Sequence, residues 1–500
     1  MNNAVGKVWL VGAGPGDAGL FTLKGAQVLA EADVVVYDRL AGQEVLGMMP
    51  DGALKIDVGK CAGNHPTPQN EINNILLAHA LEGKKVVRLK GGDPFLFGRG
   101  GEELELIAAN GIPFEVVPGI TSAISVPAYA GIPVTHREYC SSVHIITGHA
   151  KTGGTEGIQF KALAQAGGTL VFLMGFSNLR ELCAGLIDAG MRPNMPAAVL
   201  EKGTTAAQRR VVSTLEGLPD EVVRENIQSP AIMVVGEVCG LAESMSWAEQ
   251  RPLAGLRLVN VRPAGRNSTL TQMLRSRGAE VVEYPCIRTT AIENNGALST
   301  AFREIGGYEW IVLTSPFGAE VFFQKLWEAG LDVRCLAGIR LAAIGSATAR
   351  VIEERGMRVD YVPGKYSAKD LGLGLAERAA GQKVLIARAR EGSPELCAAL
   401  DGIVAYDDIP LYETVYEQSG NPAANAAVRE GAFEYVLFTS ASTVRGFAAA
   451  AGSLQGVKAV CIGEETARQA REFGVRVWVA QEATLESMIE TLIALKSEEK

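Results

Sequence analysis

Short apolar runs recur from one end of this chain to the other, and many stop at a glycine or a hydroxyl-bearing residue just before an amphipathic stretch. Val8–Val11, Val34–Tyr37, Val86–Leu89, Phe114–Val117, His144–Thr147 and Thr169–Met174 have the length and residue content of strands. Between them lie helical periodicities such as Glu71–Leu81, which sets Ile72, Ile75, Leu76 and Ala80 on one face. This alternation predicts an α/β fold with a largely parallel sheet. The 57 glycines agree with it, because many strand-to-helix turns require one.

The 500 residues are too many for one hydrophobic core and predict about two to four domains. A seam falls at residues 244–256. Before it, Pro230–Val238 reads as a closing strand. After it, Leu256–Val261 opens a new strand that leads into the turn Arg262-Pro263-Ala264-Gly265. The join is short and polar, as between compact domains. We therefore expect one domain over residues 1–246 and another over 255–500.

The second half repeats itself. The run from Glu309 to Pro316 matches that from Glu434 to Ala441, each an apolar strand ending in Thr-Ser. Downstream, Ala343-Ile344-Gly345 and Cys461-Ile462-Gly463 each lead into a helix that carries Thr-Ala-Arg. Two copies in tandem predict two similar lobes, with a ligand in the cleft between them. Thr314, Ser315, Thr439 and Ser440 would stand at helix N-termini, which suit anions but are also ordinary capping positions.

Composition excludes several function classes. A net charge of −9 argues against nucleic acid as a partner. No apolar run reaches the length of a membrane span, and the start lacks a signal-peptide pattern, so the expected location is the cytoplasm. The eight cysteines are scattered, without a Cys-x-x-Cys pair, and are expected to be buried thiols. The five histidines, at 65, 79, 136, 144 and 149, have no metal-ligand spacing, and no metal is expected. Chemistry beyond residue 149 must therefore proceed without imidazole. Cation clusters such as Lys84, Lys85, Arg88 and Lys90, or Arg388 and Arg390, are candidates for binding carboxylates.

The run Gly12-Ala13-Gly14-Pro15-Gly16-Asp17 follows the first strand. It departs from a dinucleotide fingerprint, because Pro15 removes a donor that a pyrophosphate cradle would use. A tight turn lining a pocket fits better. A second run, Arg88 to Glu102, contains Gly91-Gly92-Asp93-Pro94, where the backbone can approach a ligand; read alone, it is a glycine turn between strand and helix.

Together with Tyr37-Asp38-Arg39-Leu40, Val58-Gly59-Lys60, Val117-Pro118-Gly119-Ile120-Thr121-Ser122 and Gly131 to Arg137, these runs make residues 5–245 resemble the uroporphyrinogen-III C-methyltransferases of the tetrapyrrole methylase family. The resemblance implies a two-lobed methylase fold that forms a homodimer, with S-adenosylmethionine and the macrocycle sharing a cleft. By similarity, the methyl donor contacts Pro15, Gly91, Gly92, Asp93, Leu96, Thr121, Ser122, Met174 and Gly203, while the Gly-rich start lines the substrate trough. Asp38 matches the family's proton acceptor and Lys60 its proton donor. Outside that match, Asp38 reads as a cap and Lys60 as a surface charge. Arg39, Arg99, Arg137 and Lys151 are candidate partners for the substrate's carboxylates. A methylase acting on a later corrin precursor is the rival within the family, and the Arg88–Glu102 run and Thr135-His136-Arg137 speak against it.

Residues 255–500 resemble uroporphyrinogen-III synthase, a two-lobed α/β enzyme. The resemblance rests on Val261-Arg262-Pro263, Val312 to Pro316, Ala343 to Ala349, Ile409 to Thr414 and Val436 to Ala441. It implies closure of hydroxymethylbilane without cofactor, with Tyr412 helping the hydroxyl to leave and Thr314, Ser315 and Ser440 near the substrate. The chain as a whole then makes uroporphyrinogen III and methylates it twice to precorrin-2, towards sirohaem and cobalamin. The alternative is a methyltransferase whose second half is a non-catalytic tetrapyrrole-binding or regulatory module.

Overall fold

The computed structural model of the chain describes residues 5–38, 40–50, 52–59, 67–149, 154–261, 269–416, 419 and 421–498. Contacts divide the chain into two compact units, one of residues 1–284 with 419–500 and one of 285–418. Lys60, Arg39 and Lys151 lie outside the described residues.

The chain begins with a sheet of five parallel strands: β1 (Lys7–Gly12), β2 (Val34–Tyr37), β3 (Leu54–Asp57), β4 (Lys85–Lys90) and β5 (Phe114–Val117), in the order β3-β2-β4-β1-β5. Both faces of its inner strands are covered, so β2 is buried at all four positions. The helix Gln69–Leu81 buries Ile72, Leu76 and Ala80, as its periodicity predicts.

A second sheet follows, of β6 (Val143–Thr147), β7 (Thr169–Leu173), β8 (Pro196–Glu201), β9 (Arg209–Thr214) and β10 (Ala231–Val235), in the order β6-β7-β10-β8-β9. Here the expectation of a largely parallel sheet needs correction. Only β6 and β7 are parallel, while β10 runs against both β7 and β8, and β8 against β9. The β8–β9 connection spans Lys202–Gln208, too short for the crossover that parallel pairing requires.

The second half starts a third sheet with β11 (Arg257–Val261) and β12 (Glu280–Glu283) and then leaves it. The compact unit 285–418 holds a fourth sheet, of β13 (Ile287–Ala291), β14 (Trp310–Leu313), β15 (Arg340–Ala343), β16 (Lys383–Ala389) and β17 (Ala405–Tyr416), in the order β13-β17-β16-β14-β15. The chain then returns to the third sheet with β18 (Tyr435–Phe438), β19 (Lys458–Cys461) and β20 (Arg476–Val479), giving the order β12-β11-β18-β19-β20. The internal repeat is therefore real but not a simple tandem. β14 and β15 match β18 and β19 strand for strand, yet the first copy is inserted within the sheet that holds the second.

Of the described cysteines, Cys183, Cys239, Cys286 and Cys461 are buried, and burial pushes each thiol up to about 12. Cys140, Cys335 and Cys397 are only half-buried, short of the sequence expectation.

The first sheet brings three backbones together without side chains between them. A Cβ at Gly12 would stand 2.5 Å from the Gly119 Cα and amide nitrogen and 2.6 Å from the Gly92 carbonyl oxygen. None of these atoms can rotate away, so Gly12→Ala should destabilise the protein by about 1–3 kcal/mol or more. Gly101 lies in the helix Gly100–Ala109, and a methyl group there would meet nothing within 4 Å among the described residues, so Gly101→Ala should be neutral or stabilising by up to about 1 kcal/mol. Thermal unfolding of both variants beside the native protein checks the pair. Equal midpoints for the two would contradict the packing described.

Candidate functional site: a cleft at the strand ends

In an open parallel sheet, the C-terminal strand ends form a crevice where the strand order reverses. Here β1, flanked by β4 and β5, is such a place. The loops after β1, β2, β4 and β5 carry Gly14–Asp17, Asp38, Gly91–Asp93 and Thr121–Ser122 into one cleft of about 1660 Å³. The loops after β7 and β8 add Met174 and Gly203. Pro15, Asp38, Gly91, Gly92, Asp93, Leu96, Thr121, Ser122, Met174 and Gly203, scattered over the first half, all line that cleft.

Glycine shapes the walls. Gly14 and Gly92 exchange backbone hydrogen bonds of 3.2 and 2.8 Å. A Cβ at Gly91 would meet the Cβ and carbonyl oxygen of Leu40 at 2.6 and 2.7 Å, and one at Gly203 would overlap Val126. Gly92 has a φ of +65° but is open to the cleft, its Cβ position meeting nothing closer than 4.0 Å. Asp93 is a backbone organiser. Its Oδ1 accepts from the N–H of Phe95 and Leu96 at 2.8 and 3.2 Å, and its Oδ2 from the N–H of Gly119 at 3.0 Å. Thr121 caps the helix Ser122–Tyr129, its Oγ1 accepting from the Ala123 N–H.

Backbone strain collects at the same place. Phe97, Arg99, Met174, Lys202 and Thr204 all have positive φ, from 44° to 66°, and all line the cleft. Such residues cost about 1–3 kcal/mol each and concentrate at functional sites. Met174 and Phe97 are also exposed, an apolar lining that water alone would not favour.

At the cleft wall lies a largely buried charge cluster, of which Asp38, Arg88 and Lys90 line the cleft, and which the sequence shows only as a basic run. Arg88 and Lys90, two apart on β4, point the same way. Lys90 Nζ bonds Glu103 Oε1 at 2.7 Å, and Arg88 Nε reaches the same oxygen at 3.2 Å. Arg88 Nη2 then extends to Asp38 Oδ2 at 3.2 Å, while Asp38 Oδ1 accepts the Leu40 N–H at 3.1 Å. Glu103 is wholly buried, and its Oε2 has no hydrogen-bond partner among the described residues. Burial, aided by the neighbouring Arg88, lowers the Lys90 pKa, while Glu103 opposes that shift. The readable signal was the spacing of Arg88 and Lys90, two apart on either side of the apolar Leu89.

The other proposed carboxylate binders fare differently. Lys85 pairs with Glu31 at the surface, away from Arg88 and Lys90. Arg99 lines the cleft and is paired with Glu102, and Arg137 is exposed and is not among the cleft-lining residues. Arg388 forms a two-toothed bond to Asp408 at 2.8 and 2.6 Å, and Arg390 pairs with Glu413.

In the unit 285–418, Ser315 and Tyr412 come together, with the Ser315 Oγ 2.8 Å from the Tyr412 hydroxyl. Ser315 also caps the helix Pro316–Glu328, accepting from the Gly318 N–H at 2.9 Å. Tyr412 is 8% exposed and meets Phe317 edge-on at 5.1 Å. Burial raises its phenol pKa, and the Ser315 contact opposes that. Thr314, next to Ser315, is half-buried. Ser440 lies in the other unit, where it caps the helix Ala441–Ala451 in a reciprocal box with Thr443. Both repeat serines are thus helix caps, as their positions predict.

Two family models match the chain, Tetrapyrrole (Corrin/Porphyrin) Methylases over residues 7–219 and Uroporphyrinogen-III synthase HemD over residues 268–490. The chain is 48% identical over 494 residues to the porphyrin biosynthesis protein HemD of Ruminiclostridium josui, covering 98% of each. It is 42% identical over 358 residues to the uroporphyrinogen-III C-methyltransferase of Bacillus subtilis, covering 71% of this chain and 73% of that one. Among solved structures, the uroporphyrin-III C-methyl transferase from Thermus thermophilus complexed with S-adenyl homocysteine is 40% identical, covering 47% of this chain and 98% of that one with a TM-score of 0.41. Two enzyme families matched in order, and a relative this similar along nearly its whole length, leave one conclusion: the chain belongs to the tetrapyrrole-biosynthesis family whose members fuse a tetrapyrrole methylase to a uroporphyrinogen-III synthase.

Proposed function

We propose that residues 255–500 close hydroxymethylbilane to uroporphyrinogen III and that residues 1–246 methylate that product twice with S-adenosylmethionine to give precorrin-2. The observation that carries the methyl-transfer half is the convergence of six strand ends on one glycine-walled cleft. Gly91 and Gly203 stand where a Cβ would collide, and Gly92 bares its backbone to the cleft, a cradle suited to a methyl donor held by main-chain groups. Pro15, Gly91, Gly92, Asp93, Leu96, Thr121, Ser122, Met174 and Gly203 would hold it. When bound, the sulfonium supplies the methyl group, and the sulfur keeps the bonding pair.

The chain's own residues then have two tasks. The cleft holds the pyrrole carbon in line with the donor, which supplies most of the acceleration. The methylated ring must also lose a proton, and Asp38, oriented by Arg88 and the Leu40 N–H, is the acceptor in this reading. Lys60 is the proton donor that the family likeness implies. Asp93 acts by shaping the loop, since its oxygens already take three backbone donors. The homodimer through residues 1–246 rests on the same likeness, and the cytoplasmic location on the sequence pattern. Among the described residues, no helix is long and apolar enough to cross a membrane.

In the second half, a hydroxyl must leave as water, which requires a proton donor. Tyr412 suits that role because burial keeps its phenol protonated and Ser315 fixes its hydroxyl. Thr314, Ser315 and Ser440 are proposed to lie near the substrate.

Anaerobic incubation with hydroxymethylbilane, followed by oxidation and separation of products, tests the whole reading. Isomer III alone should form without the methyl donor, and a dimethylated product with it. Isomer I in the first tube, with methylation only of supplied uroporphyrinogen III, would reduce the second half to a binding module. Asp38→Asn should lower methyl transfer by about 10²–10⁴-fold while cyclisation continues; an unchanged methylation rate would remove Asp38 as the base. Tyr412→Phe should slow cyclisation at unchanged methyl transfer to supplied uroporphyrinogen III, and full-rate cyclisation would refute its role.

A further inference from the structure

The loop that opens the cleft is tied to residues far outside the methylase match. Glu44 lies on the short helix Gln43–Leu46, with its side chain 5% exposed. Its Oε2 accepts the Ala18 N–H at 3.3 Å, at the end of the Gly-rich loop. Its Oε1 accepts the Val281 N–H at 2.7 Å and Arg275 Nε at 3.1 Å, donors from β12 and from the helix Thr269–Ser276. Beside it, Gln43 bonds Arg257, which pairs with Glu280 at 2.9 Å. Glu280 in turn accepts the Ala206 N–H at 3.0 Å, in the segment that carries Gly203.

The neighbouring loop residue is held in the same way. Asp17 accepts the Tyr129 hydroxyl at 2.7 Å, and Arg251 from the join lies over the rings of Tyr129 and Trp247. Gly42 has a φ of +60°, and its Cβ position is 2.9 Å from the Gly16 carbonyl oxygen, so the helix bearing Glu44 is seated against the loop itself. A buried carboxylate is tolerable only while its donors surround it. Two of the three donors on Glu44 come from the second half of the chain.

We propose that Glu44 is a positioning residue through which residues 269–281 set the geometry of the Gly14–Ala18 loop, so that tetrapyrrole binding by the methylase depends on the Glu44–Arg275 contact. This rests on the reading of the cleft as the methyl-transfer site. Arg275 and Glu44 both line the cleft, but neither is among the residues assigned to the donor cradle. The influence of Arg275 runs through Glu44.

The test uses the full chain and measures methyl transfer to supplied uroporphyrinogen III, with each substrate varied in turn, beside cyclisation of hydroxymethylbilane. Arg275→Met should raise KM for uroporphyrinogen III roughly fivefold or more, raise KM for S-adenosylmethionine less, since its cradle takes only Pro15 from this loop, leave the cyclisation rate near native, and be largely rescued in Arg275→Lys. Glu44→Gln keeps an oxygen for Val281 and Arg275 but turns its amide towards the Ala18 N–H, and should raise the same KM without loosening the fold. An unchanged KM in both variants, or a parallel loss of both activities with a lowered melting point, would overturn the proposal. A native chain that methylates no uroporphyrinogen III would instead overturn the reading of the cleft, and the coupling with it, before any variant is compared.

Discussion

Everything at the methylase cleft depends on how closely three loops approach where Gly12, Gly92 and Gly119 meet. A side chain at Gly12 would push the loops after β1, β4 and β5 apart, and with them the residues that line the crevice. The close approach lets the Gly119 N–H reach Asp93, whose other oxygen fixes the loop running to Leu96. Glycine here serves contact between backbones more than flexibility. Rigidity follows because main chain, unlike side chain, has no rotamer by which to escape.

That rigidity supports an expensive charge arrangement. Arg88, Lys90, Glu103 and Asp38 form one connected group, three of them nearly without solvent contact. Burying such charges is unfavourable unless each is paired, and removing a single member would leave another uncompensated. The group hands a fixed guanidinium to Asp38 from below while the Leu40 N–H holds the other oxygen. A carboxylate so constrained presents its remaining lone pairs in set directions, as positioned proton transfer requires.

Much of this was legible in the sequence because the relevant signals are local. Apolar runs closed by a turn residue marked β1, β2, β4 and β5 within a residue or two, and most of the cleft residues lie just beyond the ends of those runs. The antiparallel course of β8 to β10 was not legible, since strand direction depends on connection length and pairing that period-two patterns do not encode. The nested order of the second half was hidden for a similar reason. A repeat in sequence records similar local structure and not which sheet each copy joins. Glu44 carried no signal at all, because its partners at 275 and 281 are adjacent only in the folded chain. The pairing of Arg388 with Asp408 likewise joins neighbouring strands, and turned an apparent carboxylate binder into a structural ion pair.

The nested order has a bearing on how the protein is made. Among the described strands, β11 emerges from the ribosome with β12 alone as its partner, because its other neighbour, β18, lies beyond the inserted unit. At about 5–20 residues per second, that edge waits on the order of ten to thirty seconds for its complement. The inserted strands β13–β17 complete their own sheet during this interval. Nascent chains therefore carry an open, apolar strand edge through the middle of synthesis, a template for pairing between neighbouring copies on one messenger.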